Sequence, residues 1–353
     1  MGIEKAFRSN LAPEQGIQMV DSSGRRRAYF PANKPGGKGP QNFTTEYEIM
    51  RGDFCQLLHS NAKDKVTYHF SKSVDTYSET PEGLQVRFSD STTEEYDLLV
   101  GADGQYSRIR RLMLGLENPD ALIPLKGLYI AYFTIPKPIQ PGEEYIATSY
   151  LATDRRGIMT RRQNPDTLQV YLGGRLTSSR LRNARRGDIQ EEKNALAEIF
   201  EGAGWKTKEI VEAMMGADNF YCERMGVVKL KPGGWGKGKV ALVGDAAWCP
   251  TANTGMGTTC AIVGAYILAG EISKHVPVGR NGKKDVEEGL KKAFAGYEDK
   301  FRPFMEQVQK GVEEPSKYPE SKFAIGVLNR VMGVLSLLRV NVGKWMLKED
   351  VKG

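Results

Sequence analysis

The sequence predicts an α/β fold interrupted by a β-rich insert. Twice a short apolar strand runs into a Gly-Ala-Asp or Gly-Asp turn followed by a helix, once around Leu99-Val100-Gly101-Ala102-Asp103-Gly104 and once around Val243-Gly244-Asp245-Ala246-Ala247. Between them, from Lys126 to about Leu230, β-branched and aromatic runs separated by turn residues indicate a sheet of a different kind.

Taken in order, Ile17 to Val20 and Arg26 to Phe30 flank the turn cluster Asp21-Ser22-Ser23-Gly24, which predicts a hairpin. Pro31 to Pro40 is rich in Gly and Pro and reads as an exposed loop. Thr44 or Thr45 offers an N-cap, and Arg51 to Ala62 has helical spacing through Phe54, Leu57 and Leu58. Leu84 to Phe88 and Tyr96 to Val100 read as strands, the second a continuous apolar run suited to a buried sheet. In the insert, Leu128 to Ile135, Tyr145 to Leu151 and Leu168 to Leu172 form a mixed or antiparallel sheet, with helices at Ile189 to Phe200 and Thr207 to Met215. Lys231 to Gly238 is a loop, Val240 to Val243 a buried strand, and Gly257 to Lys274 a long helix. Val286 to Lys310 and Lys322 to Leu347 complete the chain as helices.

Composition narrows the function classes. The chain has 353 residues, 40% of them hydrophobic and 26% charged, which excludes a mainly disordered protein. Its net charge of +7 is spread over short groups such as Arg25-Arg26-Arg27 and Arg155-Arg156, without the basic aromatic platform of a nucleic-acid groove. Four cysteines include no C-x-x-C pair and only three histidines exist, so neither a metal site nor a disulfide framework is expected. Met1 to Ala6 lacks the apolar core of a signal peptide, which points to the cytoplasm and leaves the Asn42-Phe43-Thr44 sequon without meaning.

Three motifs carry chemistry. Gly233 to Val240 nearly spells a phosphate loop, but Val240 replaces the magnesium-holding hydroxyl and the loop precedes a strand, so a surface turn is the better reading. Val243-Gly244-Asp245 followed by Gly255-Met256-Gly257 leads a strand through an acidic turn to a helix start, where glycines admit a ligand and unpaired N–H groups face it. A strand-to-helix turn merely capped by Asp245 fits that segment equally well. Asp103-Gly104 repeats the theme, with Ser107 and Arg110 three apart on the next helix.

With Arg51 at a helix start, the ordered motifs GADGxxSxxR and GDAA…GxG resemble the FAD-dependent aromatic monooxygenases of the para-hydroxybenzoate hydroxylase-like group. They resemble especially its fungal secondary-metabolism branch, over about Gly2 to Leu347. The resemblance implies that residues 1–118 and 239–285 form a Rossmann-like FAD-binding domain. Residues 119–238 would form a β-sheet substrate domain, and 286–353 a C-terminal helical region. No G-x-G-x-x-G follows a strand, so the FAD-binding domain reads as incomplete, and Met1 to Phe7 resembles an internal helix of the family. It further implies that Arg51 lies near the FAD pyrophosphate and ribityl chain, and that Asp103 and Gly104 line the region where FAD and NAD(P)H meet. Asp245 would bond the ribityl hydroxyls, and Gly257 and Thr258 would approach the flavin N1–C2 edge.

The implied reaction moves one oxygen atom from O2 into a hydrophobic aromatic or polycyclic molecule at the expense of NAD(P)H. The other reading is a non-redox relative, either a binding or regulatory protein or a cyclase, that does not hold FAD tightly. No catalytic side chain is assigned. Tyr129, Tyr132 and Tyr171 on the insert's strands are candidates to face the substrate, against an ordinary packing role for each. Trp248 stands where the family usually has His or another aromatic, and Ala252 where it has Pro near the flavin, which implies an altered flavin wall. Phe323 to Leu347 is apolar, but Arg330, Arg339 and Lys344 interrupt it, so a docked helix is expected in preference to a membrane contact.

Overall fold

The computed structural model describes residues 2–32, 47–80, 83–117, 120–276, 283–314 and 318–338. A short helix α1 (Glu4–Arg8) precedes strands β1 (Gly16–Val20) and β2 (Arg26–Pro31) and helix α2 (Arg51–Ala62). Then come β3 (Val74–Glu79), β4 (Leu84–Phe88), β5 (Thr93–Tyr96), β6 (Leu99–Gly101) and α3 (Arg108–Leu114). The middle of the chain forms β7 (Leu122–Pro136), β8 (Ile146–Ala152), β9 (Arg156–Arg161), β10 (Thr167–Arg175), α4 (Ser179–Asn183), α5 (Ile189–Phe200), α6 (Thr207–Met215) and β11 (Tyr221–Val228). The last third forms β12 (Gly236–Lys237), β13 (Val240–Leu242), α7 (Asp245–Trp248), α8 (Gly257–His275), α9 (Lys283–Val308) and α10 (Lys322–Leu337).

These elements divide into two compact units. One holds Met1–Tyr68, Lys126–Arg224 and Ser316–Glu349, the other His69–Leu125, Met225–Pro315 and Asp350–Gly353. The expected segment 1–118 therefore divides at Tyr68, and the expected region 286–353 at Pro315. The reason is pairing: β1 runs parallel to β8, which draws the first hairpin into the sheet of the insert.

The first unit is built on a seven-stranded mixed sheet in the order β11-β7-β10-β9-β8-β1-β2. Alternation along β7 buries Ala131, Phe133 and Ile135 on one face, where Leu196 and Phe200 of α5 and Ile210 and Met214 of α6 complete the core. Each of these Leu, Ile, Phe and Met side chains contributes about 1.5–3 kcal/mol when fully buried. Helix α5 starts where Asp188 accepts the Glu191 N–H at 3.2 Å, and Glu191 and Glu192 favour the positive end of its dipole. On the opposite face α10 covers the edge strand. Met332, Leu328 and Leu335 pack on Ala28 and Phe30, and Ser336 donates to the Tyr29 carbonyl at 2.7 Å. Thus the C-terminal helix is docked, and among the described residues no helix is long and apolar enough to cross a membrane.

Strand β9 escapes a reading of apolar runs because arginines stand at both its ends. Arg156 is tolerated in the interior because the Thr153, Ile199 and Glu201 carbonyls accept from it at 2.8–3.0 Å.

In the second unit β13 lies parallel to β6 and antiparallel to β12, while β3, β4 and β5 form an antiparallel meander. The run Tyr96 to Val100 is not one buried strand. Tyr96 pairs with Leu84 in the meander, Leu99 pairs with Val240 in the other sheet, and Val100 is 40% exposed. The phosphate-loop lookalike is a hairpin turn between β12 and β13. Helices α8 and α9 bury Leu268, Phe294, Tyr297 and Phe301 against this sheet. The loop after Ala32, the caps at Thr44 or Thr45, the sequon and the helix beyond Leu338 fall outside the described residues.

Candidate functional site

The carboxyl ends of β6 and β13 lie side by side, with Gly101 opposite Leu242 and the Val243 N–H donating to the Gly101 carbonyl at 2.9 Å. In open α/β sheets ligands settle at such strand ends. Gly101 is required by close approach, since a Cβ there would lie 2.8 Å from Ile109 and 2.9 Å from Leu242.

After β6 the chain turns through Asp103, whose carboxylate is committed locally. Its Oδ1 accepts the Ser107 hydroxyl at 2.5 Å, and Oδ2 accepts the Arg108 and Ile109 N–H groups at 2.7 and 3.1 Å. Ser107 caps α3 by accepting the Arg110 N–H at 2.9 Å, and Asp103 braces that first turn and fixes the loop that carries Gly104. Three residues beyond Ser107, Arg110 is fully buried. Its Nε and Nη2 form a fork to Asp120 at 2.8 and 3.0 Å, Nη2 also donates to the Gln105 carbonyl at 2.7 Å, and Nη1 reaches the Ala246 carbonyl at 2.9 Å. Burial alone would raise the Asp120 carboxyl, but Arg110 outweighs it and holds the group below its ordinary range. Sequence reasoning placed Arg110 in the motif without assigning it a task. The available signal was a charge on the helix face that buries Ile109 and Met113.

After β13, Gly244 adopts φ 65°, a conformation open to glycine, and starts α7 with Asp245 exposed in its first turn. Asp245 also acts on the first turn of α8. Burial first, and then the Asp245 charge, push the Cys260 thiol up to about 12. Helix α8 begins after Met256 with no side chain capping it, so its first N–H groups keep the positive end of a 19-residue helix available to an anion. Gly104, Gly255 and Gly257 each face space in which a Cβ would meet nothing within 4 Å.

Trp248 does not form a wall of this opening. It is 1% exposed and packs 4.8 Å from Trp235, 5.8 Å from Tyr297 and 5.1 Å from Phe301, because α7 turns its far side into the core. Beside it, Thr251 has φ 64° and a buried hydroxyl without a hydrogen-bond partner, so the loop between α7 and α8 is held under strain.

In the first unit Arg51 is the first residue of α2, capped by Met50 backbone geometry with no side-chain bond. Two contacts fix this end of α2: Gln163, just beyond β9, hydrogen-bonds Asp53, and Glu48 pairs with Arg161 at 3.1 Å. Of the three tyrosines, Tyr129 belongs to the core, 9% exposed. Tyr132 and Tyr171 lie on the other face, edge to face at 5.1 Å, and Tyr221 stacks on Tyr132 at 4.8 Å. Burial raises the Tyr132 phenol most, its tyrosine neighbours and Glu223 add to the rise, and Arg51 opposes it. Arg51 is therefore within electrostatic reach of this aromatic group. Asp103, Gly104, Asp245, Gly257 and Thr258 share the second unit, whereas Arg51 belongs to the first.

A dinucleotide flavin needs open backbone beside a helix N-terminus and an acidic partner for its polyol. The uncapped α8, the open glycines and exposed Asp245 fit that requirement. The family described as FAD binding domain matches residues 1–285. FAD-dependent monooxygenase asL4 of Sarocladium schorii is 46% identical over 362 residues, covering 100% of this chain and 84% of its own length. Flavin-dependent monooxygenase eupH of a Phoma species is 38% identical, covering 86% of this chain and 72% of its own. Among solved structures, tetracycline destructase Tet(51) superimposes with a TM-score of 0.72 at 29% identity, over 96% of this chain and 82% of its own.

Proposed function

The chain belongs to the FAD binding domain family and is an FAD-dependent monooxygenase, and from that premise we propose that its substrate is a hydrophobic aromatic or polycyclic small molecule of secondary metabolism, with NAD(P)H as electron donor. The observation that carries the reading is the juxtaposition, at the carboxyl ends of β6 and β13, of exposed Asp245 with the uncapped start of α8.

When bound, FAD supplies hydride acceptance and dioxygen activation, chemistry that no side chain offers. The chain's own residues would hold and orient it. Asp245 would accept from the ribityl hydroxyls, and the Gly257 and Thr258 N–H groups would favour negative charge on the N1–C2 edge of the ring. Gly104 would let the ring and the nicotinamide donor approach the backbone, with Asp103 holding that turn. Arg51 would serve the pyrophosphate and ribityl chain. A helix terminus contributes about 0.3–1 kcal/mol toward such a charge, and up to about 2 when partly buried.

For the substrate, Tyr132, Tyr171 and Tyr221 offer an aromatic wall on the sheet face away from α5 and α6. Offset and edge-on ring contacts of this kind contribute about 0.5–1.5 kcal/mol each. The tetracycline destructase acts, by its name, on a polycyclic molecule, and the two fungal relatives support a place in secondary metabolism.

The test is a flavin titration followed by NADPH and NADH oxidation under 18O-labelled dioxygen, with a dihydroxynaphthalene and an anthraquinone as probes. Probe-stimulated oxidation with one labelled oxygen in the product is expected. Tight flavin binding with no stimulation by any aromatic probe would remove the substrate class, and absence of flavin binding would favour the non-redox relative.

A further inference from the structure

Three segments of the first unit converge on one guanidinium. Arg161, at the end of β9, lies 2.7 Å from Glu14 in the lead into β1 and 3.1 Å from Glu48 in the lead into α2. The two leads are tied together, since the Ala12 N–H donates to the Glu48 carbonyl at 2.7 Å and Leu11 bridges Ile49. Across the sheet Arg161 stands opposite Gln169, whose Oε1 accepts the Tyr171 hydroxyl at 3.4 Å. A chain of neighbours thus runs from Glu14 through Arg161 and Gln169 to Tyr171, and by ring contacts to Tyr132 and Tyr221.

The two glutamates are not equivalent. Glu48 is 28% exposed, whereas Glu14 is 2% exposed and neither of its oxygens has a directed hydrogen bond. A buried carboxylate so poorly satisfied favours its protonated form. Burial raises Glu14 to about 7 and Glu48 adds to the rise, against the pull of Arg161. The charged and titratable groups facing this chain are Arg161 and Glu48 around Glu14, Arg161, Glu14 and Tyr221 around Tyr171, and Tyr171, Tyr221, Glu223 and Arg51 around Tyr132.

We propose that Glu14 is a positioning residue of the aromatic wall: ionised, it draws Arg161 toward the β1 lead, and protonated, it releases Arg161 to Glu48 and the Tyr171 phenol. The orientation of Tyr171, and with it the stacked pair Tyr132 and Tyr221, then follows pH in the neutral range. The proposal rests on the reading of these tyrosines as the substrate wall, but its mechanics need neither flavin nor substrate.

Near-ultraviolet circular dichroism of the full chain, titrated between about pH 5 and about pH 9, reads the tyrosine coupling directly. The expected result is one transition with a midpoint near 7 and an unchanged far-ultraviolet spectrum. Glu14→Gln should hold the low-pH spectrum throughout, Glu14→Asp should restore a transition, and Tyr171→Phe should remove most of its amplitude. A flat wild-type titration, a transition that survives in Glu14→Gln, or full amplitude in Tyr171→Phe would each overturn it. Because the titration uses protein without flavin or probe, its failure leaves the oxygenase assignment untouched, and failure of probe turnover leaves this result standing.

Discussion

The Arg110 guanidinium joins the two turns of the candidate flavin site by donating to the Ala246 carbonyl at 2.9 Å while its fork is held by Asp120. Ala246 follows Asp245, and Nη2, one arm of the fork, also donates to the carbonyl of Gln105, next to Gly104. One buried cation therefore fixes the spacing between the β6 turn and the β13 turn.

Replacing Arg110 by Met leaves Asp120 and two carbonyls without their donor. Breaking a buried charge pair from one side costs about 3–5 kcal/mol. Chemical denaturation should show a loss of that order for Arg110→Met. Arg110→Lys keeps the charge but cannot reproduce the fork, so it should fold with weakened flavin affinity. Flavin affinity equal to wild type in Arg110→Lys would mean that the spacing of the turns does not matter.

Asp245 is exposed in the first turn of α7. A hydrogen bond to a charged group contributes about 1.5–3 kcal/mol, so Asp245→Ala should weaken FAD binding by about 10- to 100-fold. Thr258→Asp places a negative charge at the α8 start and should lower the flavin's reduction potential. Isothermal titration and redox titration of the bound flavin check the two variants.

The structure assigns Trp248, which follows the GDAA motif, to packing. Trp248→His exchanges a buried indole among Trp235, Tyr297 and Phe301 for a smaller polar ring. Large-to-small changes of aromatic core residues to Ala cost about 3–5 kcal/mol, and the histidine variant should lose about half of that or more without gaining oxygenase rate. Thermal melting and probe turnover separate the two effects.

Legibility of this chain in its sequence followed locality. Helix α2 was readable from the spacing of Phe54, Leu57 and Leu58, and α8 from an apolar run behind a glycine-bounded start, signals that each lie within one window. The Asp103 and Asp245 turns were readable because their motifs are contiguous. Tyr129 and Tyr132 stood as equals until the pleat of β7 sent them to opposite faces, a choice that depends on which face α5 and α6 cover. The tasks of Glu14, Arg161 and Arg110 were not readable at all, since their partners lie on segments brought together only by the fold.

The Glu14 carboxyl gives stability its own pH dependence. Its folded pKa, about 7, is above the ordinary value of 4.5, so between those limits the native state binds a proton that the unfolded chain releases. The native state is therefore favoured at acid pH, and the advantage disappears as pH rises through 7. A tenfold difference in proton affinity between the folded and unfolded chain is worth about 1.4 kcal/mol, so the native state should lose about 2 kcal/mol between pH 5 and pH 8 from this group. Glu14→Gln carries no proton to release and should show a flatter profile, more stable than wild type at the alkaline end. Urea denaturation of both proteins at the two pH values measures the difference, and equal slopes would mean that water or a neighbouring donor already stabilises the ionised carboxylate.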